Sequence, residues 1–332
     1  MKEIIEKLKL GNELCEKDVR TVVDSIEKNN FNKEEMKKFL LGMENKKITS
    51  NELFFFINEL YKRANKIKLN CDCVDICGTG GDGRKTFNIS TASIFVCAGA
   101  GVKIAKHGNK AVSSKSGSFD VLEELGINIE NCSEKALQTL KETNIALFFA
   151  PAHHPIFANI GEVRKEIGQK TIFNIMGPLL NPCNVTKQLI GVYAPELTEL
   201  IAETAKKLGK KRVLVVHGNG LDEITIDGET KISELNNGEI KTYTISPKDF
   251  GITQSKINDL IVQNKEESAK RIINILNGKK SSSRDIVVLN SGAAIYLSDK
   301  ASTIKQGIRL AEESIDSGKA LDSLKKLKEI LR

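Results

Sequence analysis

Residues 75–91 read DICGTGGDGRKTFNIST, with glycines at 78, 80, 81 and 83 followed by a run of hydroxyl and amide side chains. Gly78, Gly80 and Gly83 match the dinucleotide pattern G-x-G-x-x-G, and the segment also approaches a nucleotide-triphosphate loop. A dinucleotide site needs an acidic residue about twenty positions further on to hold the ribose. That place reads AGAGVKIAK, residues 98–106, with no Asp or Glu. The triphosphate loop fails as well, because Arg84 stands between Gly83 and Lys85–Thr86. What survives is a generic anion loop. Glycines let successive backbone N–H groups converge without Cβ interference, and Ser90 and Thr91 sit where a helix begins, offering free N–H groups and a positive dipole end. The alternative is a tight turn with an ordinary Ser/Thr cap.

Outward from this stretch, short strands alternate with helices. Strands are expected at Val74–Cys77, Val102–Lys106, Ile145–Ala150, Gln188–Ala194 and Arg212–His217, with a helix over Pro195–Leu208 closed by Gly209. Such alternation implies a largely parallel sheet covered by helices, with ligands at the carboxyl ends of the strands. Residues 227–250 suggest a small antiparallel excursion. The first seventy residues show helical spacing alone: Ile4, Ile5 and Leu8; Val19, Val22, Val23 and Ile26; Met36, Phe39 and Leu40 behind an Asn32 cap; and Leu53, Phe54, Ile57 and Leu60 behind a Ser50 cap. The expected fold is therefore α/β: a small, mainly helical domain (1–70), joined by helices from about 155–185, and a large domain (71–332) with a mostly parallel central sheet flanked by helices.

Two more loops carry chemistry. After VKIAK comes HGNKAVSSKSGS (107–118), where Lys106, Lys110 and Lys115 stand among small hydroxyl residues ahead of a helix from about Phe119. Two anion loops after successive parallel strands suit a ligand with two phosphate centres. After RVLVVHG comes NGLDEITIDG (219–228), whose adjacent Asp222 and Glu223 can hold Mg²⁺, an ion that takes one or two carboxylates and completes its shell with water and phosphate. In isolation such a pair is a solvated surface feature; opposite two phosphate loops it is a metal candidate.

Composition bounds the rest. The 332 residues are 40% hydrophobic and 28% charged, the balance of a globular protein with a sizeable core. The net charge of +7 is spread as Lys among Glu and Asp, the pattern of solvated helix faces rather than a nucleic-acid groove, and the absence of Trp argues against base stacking. The start, MKEIIEKLKL, lacks the apolar core of a signal peptide, no run is long enough to span a bilayer, and seven cysteines without framework spacing fit a reducing cytosol. A cytoplasmic location is expected, with neither membrane nor nucleic acid as partner. Cys71, Cys73 and Cys77 lack paired metal-site spacing and read as small hydrophobes.

Taken together, GTGGDG and TFNIST (78–91), KHGNKAVSSKSGS (106–118), APAHHP (150–155), VRKEIG (163–168), TIFNIMGPLLNP (171–182) and GLDEIT (220–225) resemble the anthranilate phosphoribosyltransferase family, in that family's order and over most of the chain. The family is similar in fold to the class II nucleoside phosphorylases and is usually homodimeric. The resemblance implies transfer of a phosphoribosyl group from phosphoribosyl pyrophosphate to anthranilate in tryptophan biosynthesis, with two Mg²⁺ ions per subunit. It places phosphoribosyl pyrophosphate against Gly78, Gly81, Asp82, Thr86, Asn88, Ile89, Ser90 and Thr91, and against Lys106, His107, Gly108, Asn109, Lys110, Ala111, Val112, Ser113, Ser114 and Ser118. Anthranilate falls to Gly78, Asn109 and Arg164, and metal to Ser90, Asp222 and Glu223. His107 and His154 are candidate proton acceptors, although the histidines of PAHHP can equally cap neighbouring backbone, and without the resemblance Arg164 reads as a surface residue beside Glu162 and Glu166. Lys110 stands where the family usually has Arg, keeping the charge but losing the planar fork, and Phe119 where it usually has a small residue. A pyrimidine nucleoside phosphorylase, and a nucleic-acid-binding relative without transferase activity, are the rival readings.

Overall fold

The computed structural model describes residues 1–111 and 116–332. Seven strands form one sheet in the order β3-β2-β1-β4-β5-β6-β7. They are β1 (Val74–Gly78), β2 (Ile104–Gly108), β3 (Ile145–Phe149), β4 (Lys187–Gly191), β5 (Arg212–Gly218), β6 (Thr230–Asn236) and β7 (Glu239–Ile245). The first five are parallel. β6 and β7 run antiparallel as the expected excursion, turned by Asn237 and Gly238, both at positive φ, as a two-residue hairpin requires.

Alternation along β5 shows how the sheet is covered on both faces. Leu214 and Val216 enter one hydrophobic cluster with the Ile89–Gly99, Ser282–Leu297 and Lys319–Ile330 helices. Val213 and Val215 enter a second with the Leu197–Lys207 helix. The second cluster also holds the apolar stripes of the four N-terminal helices, Lys2–Lys9, Glu16–Glu27, Lys33–Lys46 and Ser50–Lys62, together with Ile156, Ile160, Val163, Ile172 and Leu180. The 155–180 stretch, far away in sequence, thus packs with the first sixty residues.

Topology fixes where a ligand fits. From β1 the chain builds outward through β2 and β3, then returns to the other side of β1 with β4 and β5. The reversal leaves a crevice between β1 and β4 at their carboxyl ends, and the residues paired there are Gly78 and Gly191.

Several expected boundaries shift. β2 starts at Ile104 rather than Val102, because Val102 is still closing the preceding helix through its N–H to the Cys97 carbonyl, 2.9 Å. β4 ends at Gly191 rather than Ala194; beyond it the buried Val192 still donates to the Val216 carbonyl at 2.9 Å, and the Tyr193 N–H turns to Thr79 Oγ1 at 3.2 Å. The following helix is Leu197–Lys207 and leaves Pro195 outside. The cap of the fourth helix is Thr49, not Ser50: its hydroxyl accepts from the Glu52 N–H while Glu52 accepts from the Thr49 N–H. Asn32 caps as expected, accepting from the N–H groups of Glu34 and Glu35. Cys73 is buried, Cys71 and Cys77 are half-buried, and no group of three ligating side chains able to hold a metal ion occurs among the described residues. Nor is any helix among them long and apolar enough to cross a membrane.

Candidate active site at the carboxyl ends of the strands

Four of the parallel strands end in glycine: Gly78, Gly108, Gly191 and Gly218. Three of these make room for the Asp222–Glu223 loop. A Cβ on Gly78 would stand 2.5 Å from Asp222 Oδ2, and one on Gly218 2.5 Å from the Glu223 carbonyl oxygen. On Gly191 it would coincide with the Asp222 carbonyl. The two carboxylates are thereby let down between the strand ends. Asp222 Oδ2 accepts from the Gly80 N–H at 2.7 Å, and Glu223 Oε1 from the Ser90 N–H at 3.1 Å. The enclosing protein pushes the Glu223 carboxyl up to about 7 against the opposing pull of Ser90 and Lys106. Asp222 is raised well above the ordinary carboxylate range, first by burial, then by the charges of Asp82 and Glu223, and its carboxyl is hydrogen-bonded to that of Asp82. Asp222 and Glu223 therefore both resist ionising in this enclosed place.

The glycine loop behind them is built as an anion cradle. Gly80, Gly81 and Gly83 all take positive φ, which aims their N–H groups as β-carbon residues rarely can. Arg84 staples the loop to the carboxylate loop, donating to the carbonyls of Gly220 and Asn219 at 3.2 and 3.3 Å. The helix Ile89–Gly99 then starts behind Asn88. Of the residues expected here, Gly78 and Ser90 touch the carboxylate loop and Asp82 acts on Asp222; Gly81 lies in the adjoining glycine loop and Thr91 follows Ser90 in the helix, whereas Thr86 pairs with Ile261 in an isolated bridge. Thr91 Oγ1 is buried with no hydrogen-bond partner among the described residues, an orphan that a ligand oxygen would satisfy. Ile89 is 1% exposed and its side chain belongs to the core, so only its backbone faces the site. The Asn88 side chain is occupied, its Oδ1 accepting from Ser116 and Ser268.

The second loop is closed by Asp120, whose Oδ2 accepts from the N–H groups of both Ala111 and Gly117, at 2.7 and 2.8 Å. Val112, Ser113, Ser114 and Lys115 lie outside the described residues. Asn109 is exposed, and its carbonyl receives the Ser118 hydroxyl at 3.4 Å. Lys106 is 2% exposed, its ammonium tied to the Ile76 carbonyl at 2.8 Å, and it acts on Glu223 through charge. Lys110, the family's Arg position, pairs instead with Glu123 at 2.9 Å. Phe119 is fully buried against Phe149, ring centroids 5.2 Å apart, so its departure from a small residue is absorbed by the core. Gly108 must stay bare beside it, since a Cβ there would lie 2.5 Å from Ser118 Oγ.

The histidines of PAHHP part company. His153 ties the chain together, to the Asn65 carbonyl at 2.8 Å and Ser133 Oγ at 2.9 Å. His154 Nε2 donates to the Leu180 carbonyl at 2.7 Å, which leaves Nδ1 as a bare acceptor without a partner. Its ring meets His107 edge-on at 5.4 Å, and His107 Nε2 is likewise unpartnered. Burial pulls His107 down to about 3 and His154 to about 4, so both rings are neutral at pH 7. From His154 the ring contacts continue through Phe157 (5.7 Å) to Phe173 (5.6 Å), and the Arg164 guanidinium lies 5.5 Å over the Phe173 ring. Arg164 makes no ion pair among the described residues, and burial lowers its pKa. Its sequence neighbours do not serve it: Glu162 pairs with Lys33 and Glu166 with Lys37, each at 2.6 Å. An unpaired guanidinium ending a neutral aromatic chain fits an aromatic carboxylate.

Comparison with known proteins bears directly on this geometry. Residues 70–321 match the model of the glycosyl transferase family, a/b domain. An anthranilate phosphoribosyltransferase of Thermoanaerobacter sp. (strain X514) is 43% identical over 100% of this chain and 99% of its own length. The chain belongs to the anthranilate phosphoribosyltransferase family. A second relative of that name, from Acetivibrio thermocellus, is 45% identical over 98% of this chain and 94% of its own. Among solved structures, the Thermus thermophilus anthranilate phosphoribosyltransferase superposes with a TM-score of 0.92 at 32% identity, covering 99% of both chains. The Saccharomyces cerevisiae enzyme in complex with PRPP and Mg does so at 0.89 and 28%, covering 99% of this chain and 97% of that one. These neighbours confirm the α/β fold and favour the transferase over both rival readings.

For an anthranilate phosphoribosyltransferase, several residues around the site lie beyond what sequence reasoning finds. Gly191 and Gly218 carry the same signal as Gly78, a glycine closing an apolar strand. Asp75 carries none. It is fully buried on β1 and accepts from the His107 N–H at 3.3 Å and from Asn181 Nδ2 at 3.0 Å, joining the strand that precedes the glycine loop to the start of the second loop. Asn181 also donates to the Ala105 carbonyl at 2.8 Å.

Proposed function

We propose that the β1–β4 crevice holds phosphoribosyl pyrophosphate between the two loops, with anthranilate on the Arg164 side. The enzyme transfers the phosphoribosyl group to the amine of anthranilate, giving N-(5-phosphoribosyl)-anthranilate and pyrophosphate, a step of tryptophan biosynthesis. The observation that carries the placement is the pairing of opposites. At one end stand the adjacent carboxyls of Asp222 and Glu223, both held above their ordinary pKa values; at the other stands a desolvated guanidinium with no ion-pair partner among the described residues.

The carboxylates fit Mg²⁺. Asp222 is held above its ordinary range beside Asp82 and Glu223, and a divalent ion would favour its ionised form. Asp222, Glu223 and the Ser90 hydroxyl would hold it, with Asp82 positioned for a second ion, so two per subunit is part of this proposal. Mg²⁺, when bound, neutralises charge on the departing pyrophosphate.

The protein's own groups do the rest. Backbone N–H groups of Gly81 and Gly83, with Thr86 and Thr91 alongside, would meet the anion, while the Gly80 and Ser90 N–H groups hold the carboxylates in place. Lys106, Gly108, Asn109, Lys110, Ala111 and Ser118 form the facing wall. Gly78 would meet the substrates through its backbone, its Cβ side being taken by Asp222, and Asn109 orients the aminobenzoate. An aromatic amine is already a nucleophile, so positioning supplies much of the rate. The arylammonium formed on attack is a strong acid, so a base as weak as neutral His107 or His154 suffices to take its proton.

Two organisational features belong to the same proposal. The helical residues 1–70, with about 155–185, act as one unit against the α/β unit of 71–332. Two chains also associate as a homodimer, for which Leu10, 76% exposed, and Leu41 offer apolar contacts on the N-terminal helices; the mass in solution measures this.

The direct test mixes protein, Mg²⁺, phosphoribosyl pyrophosphate and anthranilate and follows anthranilate fluorescence; no consumption would overturn the reading. Arg164→Ala should raise the KM for anthranilate by about tenfold to a hundredfold, the equivalent of roughly 1.5–3 kcal/mol for a charge-assisted bond. The KM for phosphoribosyl pyrophosphate should change little. An equal rise in both would make Arg164 a structural residue.

A further inference from the structure

We propose that Lys170 is an additional pyrophosphate-binding residue, delivered to the glycine loop from the helical part of the chain; the proposal rests on the placement of phosphoribosyl pyrophosphate given above. Lys170 precedes the Ile172–Met176 helix, whose apolar residues pack with the N-terminal helices. Its side chain nevertheless lies across the glycine loop on the sheet. A Cβ on Gly81 would stand 2.9 Å from Lys170 Cε and 3.8 Å from its Nζ. Gly81 therefore has two reasons to be glycine: its φ of +76° and the lysine stem against it.

The ammonium rests 3.7 Å from the centroid of the Tyr193 ring. Tyr193 is itself fixed to the glycine loop, its N–H donating to Thr79 Oγ1 at 3.2 Å, and the Thr79 N–H donates in turn to the Gly191 carbonyl at 2.9 Å. The acids acting on Tyr193 are Glu44 and Glu196; burial first, and then these charges, push its phenol up to about 12. Neither pairs with Lys170, which has no carboxylate partner among the described residues. A cation held only by an aromatic face is held weakly where water reaches it. It exchanges that face for a phosphate oxygen readily, since charge-assisted bonds are the stronger interaction. The lysine thus supplies positive charge beside Gly81 of the glycine loop, and its bond to the ligand ties the helical part to the sheet.

The test measures binding of phosphoribosyl pyrophosphate with Mg²⁺ by calorimetry, and both KM values, for wild type, Lys170→Met, Lys170→Gln and Lys170→Arg. Met keeps the stem that packs on Gly81 and removes the charge; Arg keeps the charge. Expected are a rise of about tenfold in the dissociation constant and KM for phosphoribosyl pyrophosphate in Met and Gln, from loss of one charge-assisted bond. The KM for anthranilate should hold, and Arg should restore most of the affinity. Wild-type affinity in Met and Gln, or equal losses for both substrates, would overturn the role. Should Met melt much lower than wild type, Gln against Arg still decides it. Failure of the wild-type protein itself to bind phosphoribosyl pyrophosphate would instead refute the underlying placement.

Discussion

Asp222→Asn combined with Glu223→Gln should abolish turnover and, in metal-free buffer at pH 8, raise the melting temperature above that of wild type. The loss of turnover follows from removing the charge proposed to hold the cation. The gain in stability follows from the same pKa shifts. Both carboxyls titrate higher in the folded chain than in the unfolded one, Glu223 at about 7. The folded protein therefore binds the extra protons, and their contribution is fully present below the unfolded value near pH 4, then lost as pH rises through 7. The gap between variant and wild type should be wide at pH 8 and close at pH 5. Added Mg²⁺ should raise the wild-type melting temperature at pH 8, by mass action on the folded state, and leave the variant unmoved. Turnover by the variant, or by wild type in excess EDTA, would remove these residues from the metal site. A variant less stable than wild type at pH 8 would show that the acids are not strained.

Gly191→Ala should be the most damaging single methyl group in the molecule. Its Cβ would fall on the Asp222 carbonyl oxygen, a backbone atom, and the obstructed loop is fixed at Gly80 and Ser90. Overpacking commonly costs about 1–3 kcal/mol; backbone that cannot step aside belongs at or beyond the upper end, roughly 3 kcal/mol or more. Chemical denaturation should show that loss together with weakened response to Mg²⁺. Gly209→Ala makes the contrast: nothing lies within 4 Å of its Cβ, and only its φ of +71° is against it, so the cost should be about 1 kcal/mol. Equal losses at the two positions would mean that the loop is free to move away.

What the sequence discloses and what it conceals divide along physical lines. β5 can be read directly because RVLVVHG is apolar on both faces, as a covered parallel strand must be. The Asp222–Glu223 pair stands out because it follows such a strand, and the glycine loop because glycine, where φ is positive, leaves few alternatives. The end of β4 is hidden because VYA continues the apolar run past Gly191, and only the sheet's neighbours decide where hydrogen bonding stops. Asp75 is invisible for a different reason. One acid within VDICG has no periodicity to announce it, and its partners Asn181 and His107 come from remote segments. Arg164 is half visible: its charge is plain, but beside Glu162 and Glu166 it looks satisfied. The lysines that take those acids, Lys33 and Lys37, come from the opposite end of the helical part, in the third helix of the chain.

Those two remote pairs have a consequence for selectivity. Glu162 and Glu166 are tethered carboxylates within a turn of the guanidinium proposed above to receive the substrate's carboxylate. A tethered group competes at an effective concentration in the millimolar range, comparable to or above that of many metabolites. By holding both acids away from Arg164 on the Gly161–Ile167 helix, Lys33 and Lys37 keep the chain from acting as its own competitive inhibitor. Surface charge of the most ordinary kind thus stands guard over the binding site, and the strength of its pairing sets how much of the guanidinium an incoming carboxylate finds free.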